Sequence, residues 1–503
     1  VRTSRRLLLL LCAAIFAPAH AADLDRDVAR LTGKILGETP AMADLQELTD
    51  RIGGRLTGTP ACERAVDWAV AKFRGAGVDA VATESFEMPS VWIPRSEEAA
   101  CLSPATFPLR VAAAPGTAGT PGGKPLEAAL VDAGDGGEAA WAALGKTASG
   151  AIALVRNPEM KTLDDLFAEY MTASALLAAA RKAGAAAVLL ESSRPRDLLY
   201  RHPMTFNADV DSMPVAIVAR EQAERLLRLV ATEPVRVRLA IDNEIRRKVA
   251  SRNVVAEIRG SAAPEDIVLV GAHLDSFDLG TGANDNGVSC AELIDLARQI
   301  KASGLVPRRT IRFVLFTGEE QGMIGSRAYV AAHAAELDRH AAVVIYDIGS
   351  GRLTGMFLNG REDLRPAVNL ALGRVGSLGP FVSPAEAIDG TDNFDFLLSG
   401  VPNLVGFQDP APYLPDYHAE SDTFDKVDAR EAKAGEAALA ALVWQLANSE
   451  SRAPRQSRAE VEALIRETKL EEQMRAFGQW EDWIARRRGL DRSPAVKPPS
   501  APQ

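Results

Sequence analysis

The stretch from Gly271 to Ser289, GAHLDSFDLGTGANDNGVS, constrains this chain more than any other. A polar pair, Glu265 and Asp266, precedes the apolar, β-branched run over 267–270, which predicts a buried strand. Residues 288–302 then carry helical spacing. His273 and Asp275 are therefore expected at the carboxyl end of a strand, with Asp285 in a Gly/Asn-rich loop just before a helix. In an open α/β sheet that edge is where ligands bind. Imidazole and carboxylate are donors suited to zinc and its neighbours, although one His and one Asp alone read equally well as a solvated strand end.

The later segments of the chain weigh against a merely solvated strand end. The strand predicted over 310–316 runs straight into Thr317-Gly318-Glu319-Glu320-Gln321-Gly322. Two adjacent carboxylates after an apolar approach are costly unless something positive meets them. A further strand over 342–345 delivers Asp347, and His418 lies in the loop Tyr417-His418-Ala419-Glu420-Ser421-Asp422-Thr423 after a last strand over 403–407. Helix-like stretches separate these strands and a helix over 428–447 comes after them. The alternation predicts a mostly parallel α/β sheet flanked by helices. His333 and His340, in and after the helix between two of these strands, look solvated and receive no role.

Two imidazoles, His273 and His418, with Asp285, Glu320 and Asp347 make a five-ligand set in which one ligand could bridge. Such a set satisfies two metal ions about 3.5–4 Å apart, each keeping an open position. Glu319 is left free to act as general base. Asp275, two residues beyond His273, is expected to orient the imidazole through its carboxylate.

With 503 residues the chain exceeds one ordinary core. Its 47% hydrophobic and 25% charged residues are those of a globular protein, and a net charge of −10, with no compensating Lys/Arg stripe in the first 450 residues, argues against a nucleic-acid surface. The expected organisation is a signal peptide over 1–21, an amino-terminal part of the main domain over 22–100, an inserted β/α domain over 101–245, and the main domain over 246–450. A charged helical extension over 451–488 and a disordered Pro-rich tail over 489–503 complete it. The leader rests on Arg2, Arg5 and Arg6 before the apolar run 7–16 and on Ala19-His20-Ala21 as a cleavage site, and it implies a secreted or periplasmic bacterial protein. That run is too short to span a membrane. Cys62, Cys101 and Cys290 remain after processing; Cys62 and Cys101 could form one bridge. His202 reads as surface or structural, and the Arg486-Arg487-Arg488 run as a solvated helix end.

The HxD, NDN, EE, strand-end Asp and YHxxxDT elements, in this order, resemble the co-catalytic dizinc exopeptidases that include bacterial leucyl aminopeptidases and glutamate carboxypeptidases. Within that group GAHLDSFDLGTGANDNG and TGEEQGMIGS look most like the carboxypeptidase Q (plasma glutamate carboxypeptidase) branch. The resemblance covers roughly 45–447. It implies a zinc-exopeptidase (phosphorylase/hydrolase-like) fold with an inserted protease-associated-type domain. It also implies two zinc ions per chain: His273 and Asp347 on one, Glu320 and His418 on the other, Asp285 bridging, and Glu319 as base. Small peptides are the implied substrates, and a homodimer is a possible assembly. Asp392 and Tyr417 are the candidate substrate contacts, although many relatives have Ser-Asp-His where this chain has Thr391-Asp392-Asn393, a departure from the pattern on the substrate side. The alternatives from other classes are a glutaminyl-cyclase-like transferase with one zinc, an inactive receptor-like binding protein, and an amidohydrolase for a small amide.

Overall fold

The computed structural model describes residues 23–347, 349–411 and 413–491. The expected leader and all but the first residues of the expected tail lie outside the described residues. Thirteen strands form the framework. They are β1 (Ala80–Ser103), β2 (Phe107–Leu109), β3 (Val111–Ala113), β4 (Leu126–Asp132), β5 (Ile152–Val155), β6 (Ala187–Glu191), β7 (Val215–Val218), β8 (Arg236–Ile258), β9 (Ala263–His273), β10 (Arg309–Phe316), β11 (His340–Ile345), β12 (Leu353–Phe357) and β13 (Asn403–Gln408). In the main domain the order is β12-β13-β11-β9-β10-β8, with β1 paired outside β8. Strands β13, β11, β9 and β10 are parallel, so their carboxyl ends share one edge. Strand β12 is antiparallel to β13, and β8 to β10, which makes the sheet mixed.

The central strands are apolar on both faces because both faces are covered. On one side Val268, Val270, Phe313 and Val344 pack under helices Pro60–Gly75, Val288–Ala302 and Ala429–Asn448. On the other, Leu269, Val314, Phe316 and Ile345 meet Tyr329, Val330 and Phe396 from helices Ile324–Ala332 and Phe394–Leu398. Local sequence starts these helices where they start. Thr59 accepts the Cys62 N–H with Pro60 in the first turn, and Asp428 accepts from Arg430 and Glu431.

Strands β1 and β8 form one antiparallel ribbon, paired from Ala80↔Glu257 to Ser103↔Arg236 with register shifts at Pro94/Ser96 and Cys101/Ser103, that runs from the main sheet to the segment carrying β3–β7. The borders expected near 100 and 245 both fall inside it. Within the insertion β4, β5, β6 and β7 are parallel and β3 closes the edge antiparallel. Helix Leu163–Ala183 starts where Thr162 and Asp165 form a capping box.

The carboxyl-terminal extension folds as three short helices, Arg458–Glu467, Leu470–Ala476 and Trp480–Ile484, packed on Phe394, Leu397 and Leu398. Several expectations need correction. Arg488 is not solvated: its guanidinium makes two 2.8 Å hydrogen bonds to Asp395, with 1% and 4% of the two side chains exposed. His340 is buried at the start of β11 against Tyr329, and His333 is half-buried between Glu84 and Glu336, so neither faces solvent freely. Cys62, Cys101 and Cys290 are all buried and free, so Cys62 and Cys101 form no bridge. His202 is buried as well, which leaves it structural rather than on the surface. Among the described residues no helix is long and apolar enough to cross a membrane.

Removing one partner of a buried ion pair strands the other charge. Arg488→Met is expected to lower the unfolding free energy by about 3–5 kcal/mol, and adding Asp395→Leu to recover most of it. Urea denaturation of the variants checks this; a loss below about 1 kcal/mol would mean the pair behaves as a solvated one.

Candidate metal centre

Three parallel strands deliver their loops to one edge. His273 is the last residue of β9, Glu319 and Glu320 lie just beyond β10, and Asp347 just beyond β11. Asp285 sits in the single turn Ala283–Gly287 that opens into helix Val288–Ala302. His418 arrives from the long loop after β13.

The five side chains converge. His273 Nε2 lies 3.1 Å from Asp285 Oδ1 and 3.1 Å from Asp347 Oδ1. His418 Nε2 lies 3.2 Å from Asp285 Oδ2 and 3.1 Å from Glu320 Oε2. One carboxylate thus reaches one imidazole with each oxygen. Two three-donor groups able to hold an ion result, His273, Asp285, Asp347 and Asp285, Glu320, His418, and they share Asp285.

Two zinc–ligand bonds of 2.0–2.1 Å at a tetrahedral angle place their donors about 3.3 Å apart, close to these separations. Two further observations ask for cations. Glu320 Oε1 is buried with no hydrogen-bond partner. Among the described residues that line the adjoining cavity there is also no Lys or Arg to offset these acids. Burial opposes a charged His418, yet Glu320 and Asp285 push it up to about 9. Burial likewise opposes charge on His273, and Asp347 and Glu319 outweigh it. Burial raises Glu320 to about 7 against the pull of His418. Asp285 is held well below the usual carboxylate range because its hydrogen bonds to His273 and His418 outweigh its burial. The residues present fit a pair of divalent ions.

Around the cage, backbone and hydroxyl groups fix each donor. His273 Nδ1 is 3.0 Å from the backbone carbonyl of Asp275, while the Asp275 carboxylate stands 3.9 Å away. The expected carboxylate–imidazole contact is therefore replaced by a carbonyl one. The chain has left the strand at His273, and the Asp275 carboxylate turns to the Thr57 hydroxyl at 2.8 Å and the Glu319 N–H at 3.3 Å. Thr57 also accepts the Gly318 N–H at 2.8 Å. Gly318 itself needs a φ of +80°, and a Cβ there would meet Met88 Sδ at 2.8 Å. Asp422 accepts the N–H groups of Asn284, at 2.7 Å, and Asp285, at 3.1 Å. Buried Arg55 donates to the carbonyls of Leu274, Thr281 and Gly282 and braces the loop between His273 and Asp285.

His418 is fixed from the inserted domain. Its Nδ1 lies 3.1 Å from the Arg201 carbonyl, and its own carbonyl accepts the Arg201 N–H at 3.0 Å. Its ring stacks on Tyr417 at 3.7 Å between centroids, and the Tyr417 hydroxyl is 2.7 Å from that of Tyr170.

The cage opens on a cavity of about 150 Å³, whose walls include Glu319 and Tyr417. The Glu319 carboxylate accepts no hydrogen bond from any described residue. Asp392 does not line this cavity: it is fully buried, and burial raises it to about 8. Its neighbour Thr391 forms the wall in its place and donates its hydroxyl to Asp347 Oδ2. Asp392 is thus buried just before helix Phe394–Leu398 and is not part of the cavity wall. Thr57, Arg55, Thr391, Asp422 and the Arg201 carbonyl carry no signal of their own in the sequence, except that Asp422 stands inside the YHxxxDT element and Thr391 beside Asp392.

The chain is similar to known proteins. The sequence profile of peptidase family M28 matches residues 253–443. Carboxypeptidase Q of Bos taurus is 29% identical over 441 residues, which is 87% of this chain and 91% of that protein. Carboxypeptidase Q of Xenopus laevis is 30% identical over 386 residues, 75% of this chain and 80% of that protein. The crystal structure of a peptidase M28 precursor from Shewanella amazonensis is similar with a TM-score of 0.79 at 28% identity, covering 87% of this chain and 99% of that one. The fold, the shared-carboxylate cage and the extent of these likenesses lead to one assignment: this chain belongs to peptidase family M28 and is a metallopeptidase.

Proposed function

We propose that the protein is a zinc-dependent exopeptidase that hydrolyses short peptides as an aminopeptidase or dipeptidase. The observation that carries this reading is Asp285, whose two oxygens each face a different imidazole and so join two ion sites into one centre. In it His273 and Asp347 would hold one zinc, Glu320 and His418 the other, and Asp285 both. When bound, such ions acidify water and polarise a carbonyl.

The chain's own groups supply the proton transfers. Glu319 lines the cavity beside the cage with its carboxylate unengaged, placed to take a proton from the attacking water and return it to the departing amine. Burial, with Asp347 and Asp392 nearby, pushes Glu319 well above the usual carboxylate range, the direction a base needs if it is to hold a proton between the two transfers. Asp275 holds the Glu319 backbone, so the base and the His273 loop move as one unit. Among the described residues the cavity lining has carboxylates and no Lys or Arg.

Three outcomes are expected. Glu319→Gln should retain zinc yet lose activity on a dipeptide by about 10²–10⁴-fold in kcat; a variant near full activity would mean another group is the base. Dialysis against a chelator should abolish hydrolysis, with activity and a higher melting temperature returning at about two zinc ions per chain; full activity in chelator would remove metal from the reaction. Asp422→Ala, which strips the acceptor from the Asp285 turn, should weaken zinc about 10–100-fold in competition with a chelating dye. Unchanged affinity would show that the turn holds itself.

A further inference from the structure

The same cavity has an aromatic wall that the strand-end loops do not build. Tyr170 on helix Leu163–Ala183 and Phe206 in the inserted domain's later loop come from one side, and Phe477 comes from the carboxyl-terminal extension. Their rings meet, with Phe206 and Phe477 4.4 Å apart between centroids, Tyr170 and Phe206 5.9 Å, and Tyr170 and Phe477 6.3 Å. Phe477 is held at both sides. Its carbonyl accepts the Asn207 amide at 3.0 Å, and the neighbouring Ala476 carbonyl accepts the Ser174 hydroxyl at 3.2 Å. Gln479 reaches Asp389 of the main domain at 3.3 Å, and Arg488 is locked to Asp395. The extension therefore ties the insertion to the main domain across the mouth of the site.

We propose that Phe477, with Phe206 and Tyr170, forms the subsite that receives a bulky apolar side chain of the peptide substrate, so that the carboxyl-terminal extension sets specificity. The inference rests on the peptidase reading above. Aromatic walls reward an apolar occupant, whereas an acidic side chain would be desolvated there with no cation among the described lining residues to meet it.

The test compares kcat/KM for Ala-Ala, Phe-Ala, Ala-Phe and Glu-Ala on the zinc-loaded full chain, wild type, Phe477→Ala and Phe477→Trp. Wild type should favour one Phe dipeptide over Ala-Ala and disfavour Glu-Ala. Phe477→Ala should cut the ratio of that Phe dipeptide to Ala-Ala about tenfold, mainly through KM. Phe477→Trp, which keeps the packing but fills the subsite, should lower the same ratio if the alanine variant fails to fold. Equal loss on every substrate overturns the proposal and makes Phe477 a brace only. No hydrolysis of any dipeptide by zinc-loaded wild type overturns instead the peptidase reading beneath it.

Discussion

The structure depends on one carboxylate shared between two imidazoles. Asp285 can hold that position only if the acids around it, Asp347, Glu320 and Glu319, tolerate burial together, and no Lys or Arg among the described cavity residues offsets their charge. Carboxylates so placed repel one another and lose their hydration, a penalty that bound cations relieve and protein contacts do not. The stability that tolerates such a centre comes from elsewhere. It comes from the doubly covered parallel strands, whose residues from Val268 to Val270 are inaccessible to solvent.

Holding the donors without contributing charge is the task of the surrounding backbone. Strand ends fix where Cα atoms of His273, Glu320 and Asp347 can lie, and carbonyls and N–H groups then fix where their side chains point. The Asp275 carbonyl on His273, the Arg201 carbonyl on His418 and the Asp422 carboxylate under the Asp285 turn each select one orientation. A backbone carbonyl on the second imidazole nitrogen has the further effect of choosing the tautomer that leaves Nε2 free as a donor.

The centre is not the property of the main domain alone. The β1–β8 ribbon links the main sheet to the insertion by paired strands, with register shifts at Pro94/Ser96 and Cys101/Ser103. Through it the insertion presents Arg201 to His418 and Tyr170 to Tyr417, while the extension returns over the top to place Phe477. Two segments poor in chemical groups thus supply the orientation and the walls that the charged residues lack.

The strand-to-loop elements were legible in the sequence because each is local: an apolar run of β-branched residues, then a polar residue where the strand must end, then helical spacing. From β9, β10 and β11 these patterns implied both the mixed sheet and the shared edge, and the six side chains His273, Asp285, Glu319, Glu320, Asp347 and His418 emerge from them together with the family resemblance. Local pattern failed where a residue's surroundings come from far along the chain. Asp392 looks the same in sequence whether its turn faces the cavity or the core, His340 and Arg488 look solvated until Tyr329 and Asp395 arrive from other elements, and Thr57 has nothing beside it to announce Asp275. Sequence therefore determined which groups are donors and at which edge they gather, since strand periodicity and residue chemistry are properties of short segments. Orientation, burial and the cavity wall were decided only by the tertiary structure, because each is a relation between segments brought together by packing.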